Sequence, residues 1–176
     1  MVQCLCFLLV FAVSTSAAAA PTELASHAGI VQIGKPMPGF AGLGLDDNVI
    51  SLKRLLAAPA PRAVLVSFMA TWCVPCRVSL PVLKRASALG GVRLLLVDVG
   101  EEAERILPFL EENGLAGQAV LVDRFAGLAK RLFAGEVKLP RTFMVDGQGT
   151  VRTILVSEGD DLENVLSREL SKVVVQ

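Results

Sequence analysis

The chain contains no tyrosine, one tryptophan and one histidine in 176 residues. With so few aromatic faces, a platform for stacking nucleic-acid bases has little to work with. Net charge is missing too, because seventeen basic residues cancel seventeen acidic ones. No basic run stands out either, so the electrostatic footprint of nucleic-acid binding is absent. The lone histidine, His27, lies far upstream of Cys73 and Cys76, and a zinc site would be short of ligands. No internal repeat or low-complexity segment occurs beyond an alanine run at 17–20. What remains is 53% hydrophobic and 19% charged, enough to build the core of one ordinary domain. The mean hydropathy of +0.58 is inflated by the amino terminus.

That terminus is a separate object. Leu5 to Val13 is an almost unbroken apolar run, followed by Ser14-Thr15-Ser16 and then Ala17 to Ala20. An apolar segment leading into small residues matches a secretory signal, and Ala17 with Ala19 would permit cleavage before Ala20. No Lys or Arg precedes the run. An uncleaved anchor is the alternative, since about 20 apolar residues span a bilayer. Either way the domain is expected to be periplasmic or otherwise extracytoplasmic. It would be soluble after cleavage, or in contact with the membrane only through residues 1–20. The expected organisation is a signal or anchor at 1–20, a tether at 21–33 and one domain at 34–176. Cys4 and Cys6 fall inside the export segment. The mature domain then keeps Cys73 and Cys76, an even number in a compartment where disulfides persist.

Along the domain, Asp46-Asp47-Asn48 reads as a turn, Val49 to Leu52 as a brief strand and Lys53 to Ala58 as a helical turn. Ala63 to Met69 is apolar on both alternations, the pattern of a strand covered on two faces. From Cys73 to about Leu89 the spacing is helical, with Val78, Val82, Leu83, Ala86 and Leu89 as the apolar stripe. Pro81 lies inside and should kink that helix, and Gly90-Gly91 should close it. Val92 to Val99 is a second buried strand, Glu101 to Asn113 a helix, Ala119 to Val122 a third strand ending at Asp123, and Arg124 to Phe133 a short helix closed by Gly135. Thr142–Val145 and Val151–Val156 flank a hairpin turn at Asp146-Gly147-Gln148-Gly149. A last helix runs from about Asp160 to Val173, with Leu162, Val165, Leu166 and Leu170 inward. Strands alternating with helices, then a hairpin and a helix, predict an α/β sandwich around a mixed sheet.

The segment Trp72-Cys73-Val74-Pro75-Cys76-Arg77 follows the first buried strand. Cys73 falls at a helix amino terminus, where free amides and the dipole stabilise a thiolate. Cys76 lies one turn inward on the same face, near enough for a bond. The pair would combine an exposed attacking thiol with a shielded resolving one, the inequality that exchange chemistry needs. Two blander readings stand beside it. A metal clip lacks further ligands, and a permanent staple across so short a loop removes little unfolded-state entropy.

On these residues the chain resembles the thioredoxin superfamily, and more closely its extracytoplasmic TlpA/ResA-type branch. The likeness covers roughly Gly34 to Val173. It is carried by Ala70-Thr71-Trp72-Cys73-Val74-Pro75-Cys76-Arg77 and by Pro81, which matches the proline that bends the active-site helix. It also rests on Lys138-Leu139-Pro140-Arg141-Thr142-Phe143, at the place of the family's cis-proline loop. Gly34-Lys35-Pro36-Met37-Pro38-Gly39-Phe40 is similar to the branch's amino-terminal extension, and Glu101 to Asp123 to its inserted helix and strand. The resemblance implies a thioredoxin-like three-layer sandwich and a thiol-disulfide oxidoreductase without cofactor or metal. Cys73 would attack a partner protein's disulfide and Cys76 would resolve it. Trp72, Pro75, Leu139, Pro140 and Arg141 would support the substrate, with Pro140 cis and the Leu139 backbone free to pair with an extended segment. It further implies reduction of selected protein disulfides, of the cytochrome c maturation or oxidase copper-site assembly kind, and a membrane electron donor of the DsbD type.

The chain departs from the pattern in places. Thioredoxin carries a buried acid six residues before the first cysteine, whereas this chain has Ser67. Proton handling then falls to water or another carboxylate, with Glu101, Glu102 and Asp123 as candidates. The family often has an aromatic at Met69, and Arg141 replaces a common threonine. Arg141 and Arg77 are expected to lower the Cys73 pKa as neighbouring cations. Two alternatives come from other classes. A peroxiredoxin-like peroxidase would carry threonine where this chain has Ala70. A copper-binding module of the same fold would use a wider cysteine pair and a later histidine, and no histidine follows Cys76.

Overall fold

The computed structural model describes residues 30–57, 59–134, 136–156 and 160–174. The expected export segment, the tether up to residue 29, Gly135 and residues 157–159 lie outside the described residues. Among the described residues Val31 is already buried, and the Gly34 amide donates to the Val151 carbonyl.

Beyond that point the chain makes β1 (Ala41–Leu43), β2 (Val49–Ser51), α1 (Leu52–Leu56), β3 (Ala63–Met69), α2 (Val74–Ser87) and β4 (Val92–Val99). It continues with α3 (Ala103–Glu112), β5 (Val120–Asp123), α4 (Gly127–Phe133), β6 (Arg141–Asp146), β7 (Val151–Leu155) and α5 (Asp160–Val174). The five-stranded sheet runs β5-β4-β3-β6-β7. β3, β4 and β5 are parallel to one another, and β6 and β7 turn the far side antiparallel. This is the mixed-sheet α/β sandwich that the alternating pattern predicts.

All seven residues of β3 are buried, which is why its sequence is apolar on both alternations. Odd-numbered Leu65 and Met69 pack with Leu94, Leu96 and Met144 under α2, α3 and α5. Even-numbered Val64, Val66 and Phe68 pack with Leu95, Val97, Phe143 and Val145 under α1, α4 and the amino-terminal segment. Phe68, Phe133 and Phe143 make edge and tilted contacts at the centre of that second layer.

The segment before α1 straps this second face. Gly34 donates to the Val151 carbonyl and the Lys35 carbonyl accepts from the Val151 amide, Pro36 bridges Thr150, and at the other side Gly44 bridges Leu121 of β5. Gly42 lies so close to Leu121 that a β-carbon there would sit 3.0 Å from the Leu121 Cγ. β1 is a strand the sequence pattern misses, because its glycines read as irregular structure.

Several boundaries and one helix phase differ from the sequence pattern. In α2 the buried positions are Cys76, Ser79, Leu80, Leu83 and Ala86, whereas Val78 and Leu89 are exposed. The helix is turned by the need to bury the second cysteine and Leu80 against the sheet, which swings Val78 outward. α3 starts at Ala103, with Glu102 at its N-cap, so Glu101 is outside the helix. α4 starts only at Gly127, because the Asp123 carboxylate reaches over to accept the Leu128 and Ala129 amides. Its inward residues, and Leu162, Leu166 and Leu170 of α5, are buried.

Candidate functional site

β3 ends at Met69, Ala70 to Trp72 turn the chain, and α2 begins at Val74. Cys73 is the N-cap residue, with an extended backbone, and its sulfur accepts the Cys76 amide at 3.2 Å. Val74 and Pro75 open the helix, where a missing proline amide costs nothing. Cys73 and Cys76 are joined as a disulfide with an S–S distance of 2.04 Å and Cα atoms 5.3 Å apart.

The surroundings are apolar below and partly open above. Both cysteines belong to the core layer of Met69, Ala70 and Leu80, with Leu139 packed against it. Cys76 is fully buried, and Cys73 keeps only 3% of its surface. The expected exposed attacker is therefore covered in this disulfide-closed state. Trp72 and Val74, on either side of Cys73, are instead 66% and 70% exposed.

Leu139-Pro140 is a cis peptide bond directly before β6. Pro140 is buried and Leu139 half-buried. Pairing with β3 begins only at Arg141, and Leu139 takes no part in backbone hydrogen bonding among the described residues. Leu139 thus keeps a free backbone, with its side chain packed on the core layer that contains the cysteines.

Arg141 corrects an expectation. Strand alternation places Thr142 and Met144 on the cysteine face, and Arg141 with Phe143 on the other. The Arg141 guanidinium stacks 4.2 Å above the Phe133 ring, in the opposite core layer. Burial lowers its pKa, and Glu136 partly offsets the effect. A cation held on the far side of the sheet does not sit beside Cys73. Arg77 turns away as well, donating to the Thr71 carbonyl at 3.0 Å and covering Phe109 at 5.1 Å. The ionising influence left to Cys73 is the helix terminus itself.

The place of the missing acid is filled by hydroxyls: Thr142 donates to Ser67 at 2.9 Å, both buried. Of the three candidate carboxylates, Glu102 pairs with Arg124 at the surface and Asp123 caps α4. Glu101 is buried and holds the cysteine loop, accepting the Thr71 amide at 2.6 Å and the Thr71 hydroxyl at 2.7 Å.

The acid that sequence reasoning missed is Asp98. It pairs with Met69 of β3 and Val122 of β5 and has no exposed surface. Neither of its oxygens meets a donor among the described residues. Desolvation first, then the like charge of Glu101, pushes its carboxyl from 3.8 up to about 8. A signal was present: Asp98 continues the buried phase of Leu94 and Leu96 and interrupts an apolar strand. No cluster of three or more His, Cys, Asp or Glu residues able to hold a metal occurs among the described residues.

Comparison with known proteins agrees with this geometry. The family model described as "AhpC/TSA family" matches residues 33–154. The thiol:disulfide interchange protein DsbE of Haemophilus influenzae is 30% identical over 141 residues, covering 80% of this chain and 74% of that protein. The thiol-disulfide oxidoreductase ResA of Bacillus thuringiensis subsp. konkukian is 26% identical over 146 residues, covering 81% and 79%. A crystal structure of a putative thiol:disulfide interchange protein DsbE from Chlorobium tepidum superposes with a TM-score of 0.70 at 24% identity, covering 82% of this chain and 99% of that one.

Proposed function

We propose, from the premise that this chain belongs to the AhpC/TSA family, a function as an extracytoplasmic reductant of selected protein disulfides. The chain is a thiol-disulfide oxidoreductase of the DsbE and ResA type, with a thioredoxin-like fold.

The observation that carries the reading is the closed Cys73–Cys76 pair at the α2 terminus, flanked by exposed Trp72 and Val74 and by the unpaired Leu139 edge. An extended segment of a partner can lie along Leu139 and add backbone hydrogen bonds there. Trp72 and Val74 offer apolar contact beside it. Pro75 sets the first turn of the helix, and Pro140 shapes the facing loop.

In the reduced chain the Cys73 thiolate attacks one sulfur of the partner's disulfide. A Cys73–partner bond forms, the partner's S–S bond breaks, and the second partner sulfur leaves as thiolate. Cys76 then loses its proton and attacks Cys73. The intramolecular disulfide closes, and the first partner sulfur leaves as thiolate. The partner is reduced by two electrons and the chain is oxidised by two. A membrane donor of the DsbD type would restore the dithiol. Targets of the cytochrome c maturation or oxidase copper-site assembly kind fit such a reductant. Residues 1–20 serve as signal or anchor in this reading, and residues 34–176 as the working domain.

Trapping tests the proposal. Cys76→Ser should freeze mixed disulfides on Cys73 that a Cys73→Ser variant does not form, and recovering no partner above that control would refute protein substrates. Equilibration against glutathione fixes direction, since a reductant must lie below the potential of the disulfides it opens.

A further inference from the structure

We infer that Asp98 is the internal proton acceptor for Cys76 in the resolving step, an inference that rests on the exchange reading above. Cys76 is wholly buried, so solvent reaches its proton poorly, and Ser67 with Thr142 supplies only hydroxyls on that face. Asp98 lies on the same face of the sheet. Its strand partners Met69 and Val122 pack in the core layer that contains Cys73 and Cys76, and so do Leu94 and Leu96, which share its phase. It is a buried carboxyl with both oxygens lacking a donor.

The charged groups around Asp98 leave it in that state. Glu101, on the loop after β4, and Asp123, at the end of β5, are both acidic and both raise its pKa. α3 turns Ile106, Phe109 and Leu110 inward and keeps Glu104 and Arg105 exposed. Arg77 of α2 is engaged with Thr71 and Phe109. As two carboxylates, Asp98 and Glu101 repel. With one proton on Asp98 they become donor and acceptor, and Glu101 remains the anion that holds Thr71, two residues before Cys73. The resulting pKa of about 8 lies near the operating pH, where a general base works best.

The step is then complete in atoms. In the chains whose Asp98 is ionised, a fraction that grows as pH rises toward about 8, the Cys76 S–H bond breaks, an Asp98 O–H bond forms, the Cys76–Cys73 bond forms, and the bond from Cys73 to the partner sulfur breaks. The partner leaves as thiolate, and Asp98 later releases its proton to solvent.

The test uses the reduced full chain and an aromatic disulfide whose leaving thiolate is coloured. Attack by Cys73 releases the first coloured thiolate in a phase that scales with reagent concentration. Closure by Cys76 releases the second in a concentration-independent phase. Asp98→Asn should slow the second phase about tenfold at neutral pH and remove its inflection near pH 8, leaving the first within about twofold. The loss stays below the usual ~10²–10⁴ of general-base catalysis because water can also accept the proton. An unchanged second phase with an unchanged pH profile would overturn the inference. Independently of any variant, the Asp98 carboxyl carbon resonance of the wild-type chain should titrate at a different pH once the disulfide is opened, since the two groups then titrate as a pair. One titration curve for both states would equally overturn it. A wild-type chain that releases no coloured thiolate at all refutes the exchange reading instead, a distinguishable result.

Discussion

Replacing Asp98 by asparagine should make the folded protein more stable at neutral pH, although it alters a fully buried residue. The carboxyl has an ordinary value of 3.8 and is pushed to about 8 in the folded chain. Between those values the folded chain holds a proton that the unfolded chain has released. A raised pKa in the folded state gives a contribution fully present below pH 3.8 and lost as pH rises through about 8. The slope is about 1.4 kcal/mol per pH unit. At pH 7, roughly three units above the unfolded value, the cost reaches an upper bound of about 4 kcal/mol. Asparagine has nearly the same shape and carries no proton to gain or lose, so the variant escapes this cost and retains only that of a buried polar group. The assay is urea unfolding of the oxidised chain from pH 4 to 8, comparing midpoints at matched slopes. The two proteins should be nearly equal at pH 4 and diverge as pH rises, with the variant ahead. Parallel curves, or a variant that falls behind at pH 8, would show that Asp98 carries its charge in the folded state.

Further outcomes follow from other contacts. Arg141→Ala should leave the Cys73 thiolate titration unchanged, because the guanidinium lies over Phe133 on the far face, yet lower stability by about 1–2 kcal/mol through the lost stacking. Chemical denaturation and thiol alkylation against pH measure the two effects. Glu101→Gln should release the Thr71 amide, seen as faster hydrogen exchange at that residue, and cost about 1–3 kcal/mol for a charge-assisted bond lost at a buried site. Leu83→Ala, at a fully buried position of α2, should cost about 2–5 kcal/mol by calorimetry. Peroxide should not be consumed at a rate above free thiol, since Ala70 offers no hydroxyl to hold it; rapid turnover in a peroxide assay would revive the peroxidase alternative.

Much of this architecture can be read directly from residue patterns. β3 and β4 announce themselves because a strand covered on both faces must be apolar at every position, and the Asp146 turn marks the change to antiparallel pairing. The cysteine pair at the start of a helix is equally plain. What pattern alone handled badly is orientation. Val78 and Leu89 look like core residues, but the phase of α2 is set by Cys76 and Leu80 meeting the sheet, a tertiary constraint. Arg141 looks close to the thiols because it follows Pro140, but a one-residue step along a strand reverses the face. Asp98 escaped notice because an acid near the end of an apolar strand is usually a solvated cap. Only the covering of that face by α2 and α3 shows it to be enclosed.

The strap that crosses from the β7 hairpin at Pro36 to β5 at Gly44 bears on solubility. A sheet whose outer strands bare their amides invites other copies to extend it. By laying the segment from Pro36 to Gly44 along both margins, the chain withholds those margins from neighbours. Cutting the strap should therefore show itself first as self-association, before any change in thiol chemistry.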